Sequence, residues 1–375
     1  MHRLTTFIIL LFWITTSSTP ALAQPPLTTR LDSFFHTFSP NQPGFALSIQ
    51  KNGDILYQNS TGLADAHTAI DSTSNFRMAS VTKQFTAMAI LLLEKDKRLT
   101  LDDPIGRWLP ELPATVGHRV LIHHLLTHSS GIEDYESLIP DTQTTQVLDA
   151  DVLKLLSQHD TTYFLPGTRF RYSNSGFCLL ALIVERAAHQ SFASFINDRI
   201  FTPLHMDHST IYEKDRPIFH RAMGYVKDSA GAIIASDQSV TSATKGDGGV
   251  YTSLVDYRKW IRALQQNRLI NLPATLKRIQ FPIQTAPDAA PGTTSGNYYA
   301  AGWFISSQSP LILFHSGSTC GFANFVIQIP GDEWSIFYFS NLADNTAPFR
   351  VIVKILKETG MEDLSPALDL QDLTR

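Results

Sequence analysis

The stretch from Thr82 to Glu94 constrains this chain most. At helical spacing its apolar residues (Phe85, Met88, Ile90, Leu91, Leu92 and Leu93) point almost all round the axis. Such a helix has no face to offer water and belongs inside a core, with other elements on every side. Just at its start stand Ser80 and Lys83. On a helix a lysine three residues on shares the serine's face, so its amine can reach the hydroxyl and take its proton. An amine set into an apolar helix is also costly when charged, which suits a base.

Ser-x-x-Lys alone is weak evidence, because the chain also carries Ser48/Lys51 and Ser242/Lys245. Geometry separates them. Ser48 and Lys51 fall on an expected strand, where an offset of three puts side chains on opposite faces. Ser242 and Lys245 run into Gly246-Asp247-Gly248-Gly249, which does not propagate a helix cheaply. Only Ser80 opens a long buried helix, whose N-terminus adds backbone N–H groups and the positive dipole end.

Two more motifs follow in order, Tyr172-Ser173-Asn174 and His315-Ser316-Gly317. Tyr172 and Asn174 stand where a loop after Pro166-Gly167 becomes a helix, a junction that aims side chains into a cleft. The tyrosine offers a phenol for proton transfer, the asparagine an amide to grip a substrate. His315 to Gly317 is expected to end a strand, with the glycine admitting close approach to the backbone. Tyr57-Gln58-Asn59 and Lys51-Asn52-Gly53 repeat parts of these patterns on an expected N-terminal hairpin and need no function. His124 and His128 have a metal-like spacing, but Leu125 stands where the helical zinc motif needs Glu, so no metal is expected. The glycine run 246–249 lacks the Lys-Ser/Thr ending of a phosphate loop and is expected to be a turn.

Residues 1–23 differ from the rest. Arg3 precedes an unbroken apolar run, Phe7 to Ile14, and Ala21-Leu22-Ala23 closes it. This pattern is that of a secretory signal peptide cut before Gln24, with an apolar run too short to span a bilayer. The expected location is therefore periplasmic or secreted, with no stable membrane insertion after cleavage. The two cysteines, Cys178 and Cys320, are too few for a disulfide framework, and their pairing is left open. A net charge of −4 points away from nucleic acid and anionic membranes.

The whole chain is 43% hydrophobic, and the remainder (24–375) is long enough for a large core or two parts. Helix is expected over 25–38, 82–94, 120–126, 147–157, 175–189, 192–201, 253–265 and 348–358. Strands are expected at 45–50, 55–59, 298–305, 311–315, 322–329 and 334–340. Strands at both ends with helices between predict an α+β fold. One antiparallel sheet, built from about 24–100 and 243–375, is flanked by helices; an all-helical insert spans about 101–242.

The ordered set of motifs resembles the class C β-lactamase-related family, which also holds DD-carboxypeptidases, D-aminopeptidases and esterases. Residues 76–83 are similar to its nucleophile segment and 125–132 to its cleft-loop signature; Tyr172 to Gly176 and His315 to Phe322 match the other two. The likeness runs from about 28 to 358. It implies a β-lactamase/transpeptidase-like fold with the site between its two parts. By matched position, Ser80 would be the acylated nucleophile, and Lys83 and Tyr172 would share proton transfer, with the base for each step undecided. Asn174 would orient the substrate, together with His315, Ser316 and Gly317, His315 holding an electropositive wall. The N–H groups of Ser80 and Ser318 would form the oxyanion hole. No cofactor is implied. The β-lactamases of this class carry Lys-Thr-Gly where this chain has His-Ser-Gly, which favours a carboxypeptidase or esterase. The expectation is an exported serine hydrolase acting through an acyl-enzyme on a small or peptide acyl substrate, D-alanyl peptides first. β-Lactamase or esterase activity, or a silent binder of cell-wall fragments, is the alternative. Oligomeric state is not legible.

Overall fold

The computed structural model describes residues 25–284, 294–306, 311–331, 333–343 and 345–360. The expected leader lies outside the described residues, as does most of 286–297, which with 131–135 is expected from the sequence to form the cleft loops that set specificity.

An eight-stranded antiparallel sheet organises the chain. In sequence order its strands are β1 (Phe45–Lys51), β2 (Asp54–Thr61), β3 (Phe281–Gln284), β4 (Thr294–Ala300), β5 (Trp303–Ser306), β6 (Ile312–Thr319), β7 (Phe322–Ile329) and β8 (Trp334–Ser340). Their order across the sheet is β2-β1-β8-β7-β6-β5-β4-β3, so the N-terminal hairpin adds to the C-terminal run along β8. β1, β7 and β8 are buried almost throughout, which fits their lack of polar alternation: both faces of the sheet are covered.

Helices supply the cover. On one face lie α1 (Leu27–Phe35) and, at the end of the chain, Ala347–Glu358. Phe35 meets Phe45, and Phe349 stacks on Phe325 and meets Tyr338. On the other face, Tyr257 of the helix Leu254–Gln265 meets Phe337 and Phe339. Tyr338 and its two neighbours thus point to opposite sides, as the pleat requires. The apolar helix α2 (Lys83–Lys95) is buried from Lys83 to Leu93, and Phe85 stacks on Trp260. It also packs on α3 (Asn174–Ala188), itself buried over most of its length.

Three local expectations change. The region expected as one strand, 298–305, folds back at Ala301-Gly302 into β4 and β5, with both turn residues at positive φ. The β6 strand does not stop at His315; it carries the whole motif and runs to Thr319. The middle of the chain is helical as far as Phe201, but it then forms short strands: Thr210–Ile211 pairs with Val250–Thr252, and Tyr225–Lys227 pairs with Ile233–Ala235. Cys178 and Cys320 are both free thiols.

Candidate active site

The nucleophile segment is held by an unusual backbone. Ala79, just before Ser80, has a φ of 48°, in the left-handed region that a side chain favours little. A short 3-10 turn, Ala79–Thr82, then leads into α2. This turn puts Ser80 partly exposed at the head of the helix, while Lys83 below it is fully buried. Lys83 Nζ lies 3.0 Å from Ser80 Oγ. It also donates to Asn174 Oδ1 at 2.7 Å and to the Asp247 carbonyl at 3.1 Å. The amine sits 4.9 Å from the centre of the Tyr172 ring, within cation–π range.

Two segments distant in sequence therefore converge on Lys83. Asn174 begins α3, where the Ser173 hydroxyl accepts the Gly176 N–H as cap. Both ends of the Asn174 amide are engaged within the protein: its Oδ1 accepts from Lys83, and its Nδ2 donates to Glu136 Oε1 at 2.6 Å. The amide thus helps set the position of the lysine. The Tyr172 hydroxyl is buried and has no hydrogen-bonding partner among the described residues. The phenol ring joins the site, but its oxygen is bonded to neither Ser80 nor Lys83.

The segment 125–132 forms the backing of this arrangement. His128, at a φ of 54°, accepts the Ser173 N–H on Nδ1, and its carbonyl accepts the Arg171 N–H. Its ring lies 4.2 Å from that of Tyr172. The carbonyls of Ser129 and Gly131 take the N–H groups of Gly167 and Tyr163. His124 is turned elsewhere, its Nδ1 accepting from Leu121 N, so the two histidines do not form a ligand pair. No metal-ligating cluster stands among the described residues.

On the opposite wall β6 passes the nucleophile. A Cβ on Gly317 would fall 2.1 Å from the Met78 carbonyl oxygen, so only glycine lets the strand lie this close to the segment carrying Ser80. β5 pairs with β6 only through Phe314. From His315 onward that edge of the strand has no strand neighbour among the described residues and runs beside the nucleophile turn. Ser318 and Thr319 are the residues of β6 that line the cleft.

His315 departs from its expected role. It is buried, with Nδ1 donating to the Ser316 carbonyl and the Tyr299 hydroxyl 3.1 Å from Nε2. Burial, assisted by the nearby Lys83 charge, lowers its pKa to about 3, so the imidazole is neutral near pH 7. It supplies no positive wall. It packs beside Tyr172 and Phe304 as a structural pillar. Ser316 is likewise buried, with its carbonyl taken by His315.

The cleft that receives Ser80 has a volume of about 210 Å³, and its walls are mostly polar. Besides Ser80, Asn174 and Ser318 it is lined by Arg77, Glu136 and Asp247, which motif reasoning did not assign. Asp247 lies in the glycine run that was expected to be a plain turn. A signal was present: an acid between glycines, in a chain short of charge, is well placed to point into a site.

Comparison with known proteins shows the family. The Beta-lactamase family model matches residues 31–358, and the chain belongs to that family. It is 31% identical to "Penicillin-binding protein 4*" of Bacillus subtilis (strain 168) over 322 residues, which cover 81% of this chain and 69% of that protein. "Protein flp" of Staphylococcus aureus (strain MRSA252) is 28% identical over 82% of this chain, which spans only 61% of that relative's length. Among solved structures, a penicillin-binding protein from Bacillus halodurans superposes with a TM-score of 0.74 at 27% identity, covering 89% of this chain and 99% of the other. A D-amino acid amidase from Ochrobactrum anthropi SV3 shares the fold, with a TM-score of 0.72 at 22% identity over 89% of this chain and 98% of its own. By class the protein is a serine hydrolase of this family, with the β-lactamase/transpeptidase-like fold.

Proposed function

We propose that the protein hydrolyses D-alanyl peptides as a DD-carboxypeptidase-like enzyme, through an acyl-enzyme on Ser80. The observation that carries the reading is the 3.0 Å contact between Lys83 Nζ and Ser80 Oγ. In its neutral form the amine takes the hydroxyl proton as Oγ attacks the scissile carbonyl. Asn174 and the Asp247 carbonyl hold the amine in place for that transfer. The N–H groups of Ser80 and Ser318 then meet the charge developing on the carbonyl oxygen. A buried hydroxyl without a partner is costly; the Tyr172 hydroxyl is freed of that cost when it passes its proton to the departing nitrogen and takes up in its place the proton that Lys83 received from Ser80. Water then attacks the ester and frees the acid. The hydroxyls of Ser318 and Thr319 are donors for a terminal carboxylate. Export, with residues 1–23 as the leader, belongs to the same reading, since cell-wall peptides lie outside the membrane; the N-terminus of protein recovered from cell fractions checks it.

A second reading, an esterase or amidase, is favoured by the neutral, buried His315, which gives no cation to draw a carboxylate. One purified sample decides. Release of D-alanine from D-alanyl-D-alanine peptides supports the carboxypeptidase. Turnover of short-chain nitrophenyl esters without it replaces that reading by the esterase, and rapid nitrocefin hydrolysis replaces it by a β-lactamase.

A further inference from the structure

His128 belongs to the segment behind the site, and no step of the reaction described so far uses it. Its side chain is 1% exposed, and its backbone stands at a φ of 54°, where a side chain is little favoured. Such a backbone persists only where its surroundings hold it. Here the hold is on the short segment that leads into α3. The His128 carbonyl accepts the Arg171 N–H at 2.8 Å, and Nδ1 accepts the Ser173 N–H at 3.1 Å. Tyr172 lies between these two anchors, and its ring centre is 4.2 Å from that of the imidazole. One residue thus grips Tyr172 on both sides along the chain and at its ring.

Only one form of the imidazole does this. Nδ1 accepts a hydrogen bond, so it carries no proton, and the single proton of the neutral ring stands on Nε2. Burial, with Lys83 and His315 adding to it, holds the pKa well below 6.5 and so keeps the ring neutral. Tyr299 of β4 and Phe177 of α3 also pack on the imidazole, with ring centres at 4.4 and 5.1 Å. Turning the ring would give up the Ser173 bond and disturb all three neighbours.

The consequence falls on the Tyr172 hydroxyl. It is buried with no hydrogen-bonding partner among the described residues, so no bond of its own fixes it. Its place is set by the backbone on either side and by the rings around it. Among the described residues the His128 ring is the nearest of these; those of His315, Tyr299 and Phe304 stand at 6.2 to 6.4 Å. His128 Nε2 is bonded to neither Ser80 nor Lys83, so the histidine acts through its neighbours. The same grip also precedes Asn174, which holds the Lys83 amine. An effect through the phenol must therefore be told from one through the amine.

We propose that His128 is the positioning residue for Tyr172: its neutral imidazole clamps residues 171 and 173 and packs on the phenol, holding the hydroxyl where the leaving group takes its proton. This deepens the hydrolase reading and rests on it. In that step the Tyr172 O–H gives its proton to the leaving atom as the bond to the acyl carbon breaks. The phenolate then takes up the proton that Lys83 received from Ser80.

Two esters of N-acetyl-D-alanine read this in the full chain. Ethoxide needs a proton to leave; p-nitrophenolate does not. Both esters give the same acyl-enzyme, so their kcat/KM values compare acylation alone. A displaced Lys83 amine slows both alike, whereas a displaced phenol slows the ethyl ester. His128→Leu removes the acceptor and the ring. It is expected to lower kcat/KM for the ethyl ester by at least about tenfold more than for the nitrophenyl ester. His128→Asn keeps an acceptor one bond from Cγ, as Nδ1 is, and suits a left-handed backbone; it is expected to recover part of that loss. In Tyr172→Phe the proton donor is already gone, so neither change at 128 is expected to shift the ratio of the two esters further. Equal losses on both esters, or a shift that persists in Tyr172→Phe, overturn the positioning role while leaving the hydrolase. If His128→Leu does not fold, His128→Asn carries the same comparison, with a smaller shift expected because the ring alone is lost. Should the wild type release D-alanine from peptides but spare both esters, the cycle is read on that release, where a loss of equal size with and without the Tyr172 hydroxyl overturns the role. Hydrolysis of none of these substrates ends the hydrolase reading and this one together.

Discussion

At the scale of the residue, the site is a chain of contacts with one amine at its centre. Lys83 touches Ser80, Asn174 and the Asp247 carbonyl, and Asn174 passes the linkage on to Glu136. His315 shows how far the environment redefines a residue. Its Nδ1 donates to a carbonyl, Nε2 faces the Tyr299 hydroxyl, and burial keeps it neutral. His315→Lys, which would introduce the lysine expected of the class's β-lactamases at this position, is therefore expected to weaken the protein rather than add β-lactamase activity. It would bury an ammonium beside Lys83 without a counter-charge, at a cost of about 3 kcal/mol. Chemical denaturation checks the loss; a variant of unchanged stability with faster nitrocefin hydrolysis would contradict it.

At the scale of the element, catalysis depends on how closely β6 passes the head of α2. Gly317→Ala adds a methyl group where the Met78 carbonyl already stands. The strand must retreat, carrying the Ser318 N–H, the proposed oxyanion donor, away from Ser80. A shift of about 1 Å is enough to lower kcat on the order of 10²-fold. Steady-state kinetics with a thermal melt as control reads this, and a melt that collapses with no separate loss of kcat would point to a purely structural role. This contact also marks the limit of what the sequence tells. The apolar helix, the Ser-Lys spacing, the N-terminal hairpin and the strands β7 and β8 were legible because each rests on short-range periodicity, whereas the edge strand β3 was not read at all. The turn at Ala301-Gly302 was hidden inside an apolar run, and the extension of β6 to Thr319 depends on pairing with β7. Asn174 and His315 were legible as site residues but not in their bonds, because those come from Glu136, Tyr299 and Ser316, placed by the tertiary fold. Asp247 was passed over because a glycine run reads as a turn until α2 and α3 are seen to hold it.

At the scale of the whole molecule, the buried histidines make stability depend on pH. Burial lowers His124 to about 4, His315 to about 3, and His128 well below its ordinary 6.5. Between these values and 6.5 the unfolded chain binds more protons than the folded one, so stability rises with pH there. The stabilisation is fully present above about 6.5 and is lost as the pH falls toward the folded values. Asp149 works the other way: burial raises it to about 7, so its contribution falls as the pH climbs from 3.8 to about 7. Burial also raises Asp134 and Glu136, which act in the same sense as Asp149 but stand nearer the surface. The three buried rings are expected to outweigh them, so the melting temperature drops on going from about pH 7.5 to about pH 5; a flat profile would contradict the neutral burial of these rings. The architecture that buries them, a sheet covered on both faces with α2 at its centre, also holds Ser80 at the mouth of the cleft. Intact-mass spectrometry after exposure to a phosphonyl fluoride tests that placement most directly. The account predicts one covalent adduct, mapped to the Ser80 oxygen with loss of fluoride and absent from Ser80→Ala. A wild-type protein that gains no mass, or an adduct that persists in the variant, would contradict it.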